Sequence, residues 1–194
     1  LSQKKIQQEI KNQFPKPRIL LIGFGTVGKS CKEVLDLFEL DCTIWRSNDI
    51  KDKKIILEHH ILLHAIRLSD SSVSSYSPFL TINDLSLSRQ LSVICDISCD
   101  LGNPLNPLPI YNDFTTKDQP IRRLDDTPIL DLIAINNLPS LQPIQSSLEF
   151  SSILRNFLPY LLHFKYTYPT QSYSSILFKT YQYFQQLCSS ILSS

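Results

Sequence analysis

Gly23-Phe24-Gly25-Thr26-Val27-Gly28 is the stretch of this sequence whose spacing implies a definite chemistry. In a Gly-x-Gly-x-x-Gly loop the first glycine permits a tight turn, the second lets backbone approach a pyrophosphate, and the third allows a helix to pack close to a strand. Exposed N–H groups at the start of the following helix would hold the phosphates. Gly23, Gly25, Thr26, Val27 and Gly28 are therefore candidate cofactor-binding residues, and three of the chain's four glycines stand in this loop.

A dinucleotide site also expects an acidic residue about 20 positions further on, to take the ribose hydroxyls. The position after Trp45 holds Arg46, a side chain that would suit the 2′-phosphate of NADP. Asp49 could instead bend back to the ribose, or Arg46 could be a solvated loop residue with adenosine held by backbone and apolar contacts; the sequence leaves the three open.

Cys95, Asp96, Ser98, Cys99 and Asp100 form a second polar cluster, which either faces ligand or caps a strand and the turn after it. Histidine offers little. His59 and His60 lie in a charged spacer and read as solvated, His64 sits in an apolar run and reads as a satisfied core residue, and His163 has no carboxylate nearby to orient it. No nucleophile, base and orienter can be assembled. Cys95 and Cys99 lack the second pair that a zinc site requires.

The elements that must position these residues follow from hydrophobic pattern. Ile19 to Ile22 are four consecutive apolar residues, as in a strand buried on both faces. Cys31, Val34, Leu35 and Phe38 then recur at helical spacing. Further strands are predicted at Cys42 to Trp45, Ile61 to Ile66, Leu91 to Ile97 and Leu130 to Ile135, while the spacer between the second and third is too polar to demand a full crossover helix. Such alternation predicts an α/β fold, a Rossmann-like parallel sheet with helices on both faces. Pro104, Pro107 and Pro109 make the segment after the fourth strand an irregular loop, placed where open sheets bind ligands. From Ser146 the chain turns rich in Ser, Tyr, Phe and Leu, with helical habit over Ser174 to Leu192. The expected organisation is a lead-in over 1–16, a dinucleotide-binding domain over 17–145, and a C-terminal helical tail over 146–194.

With 194 residues, 42% hydrophobic and 19% charged, the chain has material for one core and a short appendage. A net charge of +1 supplies no field for nucleic acid or anionic lipid. No apolar run approaches the roughly 20 residues of a membrane span, and the polar start carries no signal-peptide pattern. Five irregularly spaced cysteines suit a reducing cytoplasm better than a secreted disulfide framework. A chain that begins at Leu1 and contains no methionine is expected to be a fragment.

Two longer strings carry a resemblance. Val93 to Tyr111, VICDISCDLGNPLNPLPIY, resembles the signature region of the NAD-linked, lysine-forming saccharopine dehydrogenases of the fungal type, in which Asp-x-Ser-x-Asp precedes Asn-Pro-x-Asn-Pro-x-Pro-Ile-Tyr. Asn136 to Pro143, NNLPSLQP, is similar to that family's Asp-His-Leu-Pro-Ser-Leu-Leu-Pro segment, and LEF followed by FLPYL is similar to the stretch after it. With the glycine loop, the matches cover most of Pro17 to Leu161, and LFKTYQYFQQLC adds a weaker echo.

The resemblance implies a reaction in which saccharopine passes a hydride to NAD and the resulting imine is hydrolysed to L-lysine and 2-oxoglutarate. It also implies an N-terminal catalytic domain that supplies the Lys and His for proton transfer; nothing here matches that domain, so no catalytic residue is assigned, and the tail would return to it. By the same resemblance Gly25 and Thr26 approach the pyrophosphate, and Ile66 and Arg67 lie near the adenine. Ile97, Ser98, Cys99 and Asp100 line the nicotinamide and substrate side, the last three toward substrate. Ile135, Asn136, Asn137 and Leu138 close over the cofactor. Departures are Thr26 where the family often has Arg, Arg46 in place of its ribose-binding Asp, and Asn136-Asn137 in place of Asp-His. The competing reading is a non-catalytic Rossmann module that binds a nucleotide or regulates a partner.

Overall fold

The computed structural model describes residues 16–46, 52–66, 77–156 and 158. Asp49, Arg67, His163 and the helix expected over Ser174 to Leu192 lie outside them. The chain divides into two compact units, Leu1–Leu138 and Pro139–Ser194.

In the first unit the apolar run Ile19–Ile22 forms β1, buried along its whole length, and the glycine loop leads into α1, Thr26–Leu37. β2 follows at Cys42–Trp45, then a short helix α2 at Lys53–Glu58, whose N-cap Asp52 accepts the Lys54 N–H, and β3 at Ile61–His64. β4 is Val93–Asp96, and β5, Arg122–Asp126, turns back into β6, Ile129–Ile133. The sheet order is β2-β1-β3-β4-β6-β5. Pairing is parallel except between β5 and β6. β5 was not expected, because four of its five residues are charged and it lacks a strand's apolar pattern.

The chain steps from β1 outward to β2 and then back across to β3, so right-handed crossovers place α1 and α2 on opposite faces. Below α2, its Ile56 and Leu57 join Leu20, Ile22, Leu62, Ile94 and Leu132 in one buried cluster. Each such aliphatic side chain contributes about 2 kcal/mol by leaving water. α1 is held more loosely: the expected stripe is only half-buried at Cys31, Leu35 and Phe38, and Val34 is 52% exposed. Trp45, Ile22, His64 and Asp96 stand in one row across the carboxyl ends of four adjacent strands.

The proline-rich segment forms no helix or strand, as expected, and its own asparagine side chains shape its turns. Asn103 Oδ1 accepts the Leu105 N–H at 2.9 Å and Asn106 Oδ1 accepts the Leu108 N–H at 2.9 Å, so each asparagine bridges the proline that follows it. These turns deliver Leu108, Ile110 and Tyr111 into the core. Arg89 pins the β5–β6 hairpin: its side chain is buried, and it donates to the carbonyls of Leu85, Leu91 and Pro128 and to the Asp125 carboxylate.

In the second unit, α3 spans Pro143–Arg155 with proline at its first turn, where no N–H is needed. Ile144, Leu148, Phe150 and Ile153 on it are each more than half exposed.

Candidate functional site

The glycine loop is built as its spacing predicts, and each glycine has its own reason. Gly23 has φ +98, and a Cβ there would stand 2.6 Å from the Ala65 carbonyl oxygen. A Cβ on Gly28 would stand 1.9 Å from the Gly23 carbonyl oxygen, which is the close approach of helix to strand. Gly25 has ordinary backbone angles and no atom within 4 Å of the place its Cβ would take. Its substitution costs no packing, so open space in front of the helix is what the residue preserves. Gly25 is also the N-cap of α1, with no side chain accepting from the first turn and no acidic residue in it. Those N–H groups face outward, as an anion site requires.

In front of them lies a cleft of about 640 Å³, lined by Gly23, Phe24, Gly25, Lys29, Arg46, Ala65 and Ile66. It sits at the carboxyl ends of β1, β2 and β3, where the strand order reverses and open α/β sheets take their ligands. The Gly23 N–H donates to the Trp45 carbonyl and the Ala65 N–H to the Ile22 carbonyl, both at 2.8 Å, which fixes the three strand ends relative to one another. Lys29 and Arg46 give the cleft two cations, and no carboxylate lines it among the described residues. The Arg46 guanidinium lies over the Phe24 ring, 5.2 Å from its centroid. These residues fit a dinucleotide: there is space for a pyrophosphate at Gly25, donors at the helix start, and cationic side chains.

The polar cluster after β4 is joined to this cleft. Ile97 N–H donates to the His64 carbonyl, and Ser98 Oγ donates to the carbonyl of Ile66, a residue of the cleft wall, each at 2.9 Å. Asp96 is buried and accepts four hydrogen bonds. Its Oδ1 takes His64 Nδ1 at 2.8 Å and the N–H groups of Ser98 and Cys99 at 3.0 and 3.1 Å, and its Oδ2 takes the Tyr111 hydroxyl at 2.6 Å. Burial pushes the Asp96 carboxyl up, but the hydrogen bonds from His64, Tyr111 and Cys99 outweigh it and hold the group below the ordinary carboxylate range. Asp96 therefore caps the strand and its turn, while Ser98 turns toward the cleft. Burial pushes the Cys95 thiol up to about 12 and the Cys99 thiol up to about 11, so neither is a nucleophile at neutral pH.

Of the expected residues, the structure brings Gly23, Gly25, Arg46 and Ile66 together in the cleft wall, with Ser98 at its border. Thr26, Val27 and Gly28 form the first turn of α1. Ile135 is bridged to Thr115 beyond the end of β6 and is buried; Asn136 and Asn137 are exposed and Leu138 is half-buried, and none of these four lines the cleft. Phe24, Lys29 and Ala65 are lining residues that sequence reasoning passed over, although Lys29, four residues after Gly25, is where a first helical turn returns to its cap. His59 and His60 are bonded rather than merely solvated, His59 to the Ile55 carbonyl and Thr43 Oγ1, and His60 to the Arg18 N–H. Among the described residues no group of three or more His, Cys, Asp and Glu could hold a metal, and no helix is long and apolar enough to cross a membrane.

Comparison with curated proteins is consistent across several fungi. The NAD(+)-dependent, L-lysine-forming saccharopine dehydrogenase of Emericella nidulans is 37% identical over 175 residues, covering 82% of this chain and 44% of that enzyme. The chain is a relative of the lysine-forming saccharopine dehydrogenases. The Schizosaccharomyces pombe enzyme of the same name is 36% identical over 166 residues, 80% of this chain and 43% of its own, and that of Yarrowia lipolytica 34% identical over 158 residues, 75% and 40%. The chain thus spans less than half the length of these saccharopine dehydrogenases. No protein-family model matches it.

Proposed function

We propose that the chain is the cofactor-binding part of an oxidoreductase that oxidises saccharopine with NAD, in the aminoadipate route to lysine. The observation that carries the reading is the glycine loop: Gly25 keeps open the space that backbone donors of α1 face, at the point where the strand order reverses. The names of the saccharopine dehydrogenase relatives support the reaction and the nucleotide. In this reading, the loop and the first turn of α1 bind the pyrophosphate, and Gly25, Thr26 and Val27 present N–H groups to it. Lys29 and Arg46 neutralise phosphate charge, and Arg46, steadied on Phe24, stands where the adenosine ribose ends. Arg46 also admits NADP as an alternative nucleotide.

Ser98, Cys99 and Asp100 form the substrate side of the site, next to Ile97. When bound, the nicotinamide supplies the acceptor for the hydride that leaves the saccharopine carbon beside the secondary amine. The nitrogen gives up its proton, and water then hydrolyses the imine. In this reading the proton-transfer groups come from a further, N-terminal catalytic domain, in keeping with a chain that spans less than half the length of its relatives. The test is calorimetric titration of this chain with NADH, followed by assay of saccharopine oxidation in the longest natural polypeptide that contains it. Micromolar binding with activity only in the longer form is expected; binding without activity in either would make the chain a nucleotide-sensing module.

A further inference from the structure

Cys99 adopts φ +50, a left-handed conformation that costs energy in any residue with a Cβ. It stands in the turn that follows β4, beside the cleft. Asp96 makes three contacts that hold it there: Oδ1 accepts the N–H groups of Ser98 and Cys99, and the Asp96 carbonyl accepts Cys99 Sγ at 3.1 Å. The carboxylate is in turn held by His64 Nδ1 and the Tyr111 hydroxyl. His64 is 0% exposed, and its Nε2 has no hydrogen-bond partner among the described residues. The Phe79 ring stands beside the imidazole in a T-shaped arrangement, 5.7 Å between centroids. An aliphatic side chain would fill that position without leaving a buried ring nitrogen unpaired. What the imidazole provides there, and an aliphatic side chain would not, is the Nδ1–H donated to Asp96. The backbone of His64 repeats the connection, accepting the Ile97 N–H.

We propose that His64 is a positioning residue: through Asp96 it sets the left-handed backbone of Cys99, and so the shape of the Ile97–Asp100 turn that borders the cofactor cleft. Ser98 transmits that shape to the cleft wall by its bond to the Ile66 carbonyl. The inference rests on the cleft being a dinucleotide site whose nicotinamide half reaches this turn.

The test compares two ligands on the full chain, NADH and ADP-ribose, by titration of the wild type, His64→Leu and His64→Asn. ADP-ribose contains the adenosine and pyrophosphate but lacks the nicotinamide. His64→Leu is expected to weaken NADH roughly tenfold while leaving ADP-ribose within about twofold. His64→Asn, whose amide N–H can replace Nδ1–H, is expected to restore NADH affinity. A glycine at position 99 removes the penalty of the left-handed backbone, so in a Cys99→Gly background the His64→Leu effect on NADH should shrink. Tyr111→Phe removes one hydroxyl from the same carboxylate and gives the same selective loss, smaller in size, should His64→Leu fail to fold. Equal weakening of both ligands, or unchanged NADH affinity in the folded variants, overturns the proposal. Failure of the wild type to bind either ligand overturns the dinucleotide reading and the inference together.

Discussion

His64 of β3 and Asp96 of β4 are partners twice over: their backbones are in register in the parallel sheet, and their side chains share a fully buried hydrogen bond of 2.8 Å. This pairing makes stability respond to acid. Because the Asp96 pKa is lowered on folding, its contribution is fully present above the unfolded carboxylate value near about 4 and is lost as pH falls through the lower folded value. Cys95, Cys99 and Tyr111 beside it are all shifted upward and stay protonated throughout that range. Asp96→Asn should therefore destabilise by about 3 kcal/mol at neutral pH. The gap should narrow below about pH 4. Urea unfolding of both proteins from pH 7 to pH 3 measures it, and a constant gap down to pH 3 would show that Asp96 is not the group responsible.

The three loop glycines should separate folding from binding. Gly28→Ala forces a Cβ into the Gly23 carbonyl and should cost about 3 kcal/mol or more of stability. The Cβ of Gly25→Val meets nothing in the protein, so its melting temperature should stay within about 3 °C of wild type while dinucleotide binding is lost. Thermal unfolding paired with calorimetry reads both. Retained nucleotide affinity in folded Gly25→Val would sink the pyrophosphate assignment.

Arg46 should decide how the cleft treats a 2′-phosphate. Arg46→Asp places a carboxylate where the ribose hydroxyls are expected, and NADP affinity should fall at least about tenfold while NAD affinity holds or rises. An equal change for both nucleotides would remove the reading of a 2′-phosphate from Arg46.

The thiols report how dry the region after β4 is. With the Cys95 thiol pushed up to about 12 and the Cys99 thiol to about 11, alkylation by iodoacetamide at pH 8 should run about a thousandfold slower at Cys95 and about a hundredfold slower at Cys99 than in the unfolded chain. Peptide mapping by mass spectrometry measures each site, and labelling at the unfolded rate would refute their burial.

Much of the architecture was legible because hydrophobic runs and the glycine spacing are local signals. Ile19 to Ile22 and the loop after them announce strand, turn and helix within twenty residues, and the structure keeps that order. β5 was invisible for the opposite reason: its Arg and Asp side chains say nothing of pairing, which is settled by β6 and by the distant Arg89. The same limit applies to the site. Asp96 was singled out by type and position, but its partners His64 and Tyr111 stand 32 and 15 residues away, and only folding brings them together. His64 read as an ordinary core residue because burial is visible in a pattern, whereas an unpaired ring nitrogen is not.

The charged strand β5 has one further consequence. It is the last strand of the sheet, and an outer strand offers its free N–H and carbonyl groups to any passing chain. Arg122, Arg123, Asp125 and Asp126 make that offer unattractive, and the register shift between Arg123 and Asp125 interrupts the regular pairing of the strand. The opposite border, β2, is written Cys-Thr-Ile-Trp and carries no charge. Among the described strands, aggregation by strand addition has a way in on the β2 side and meets a barrier on the other.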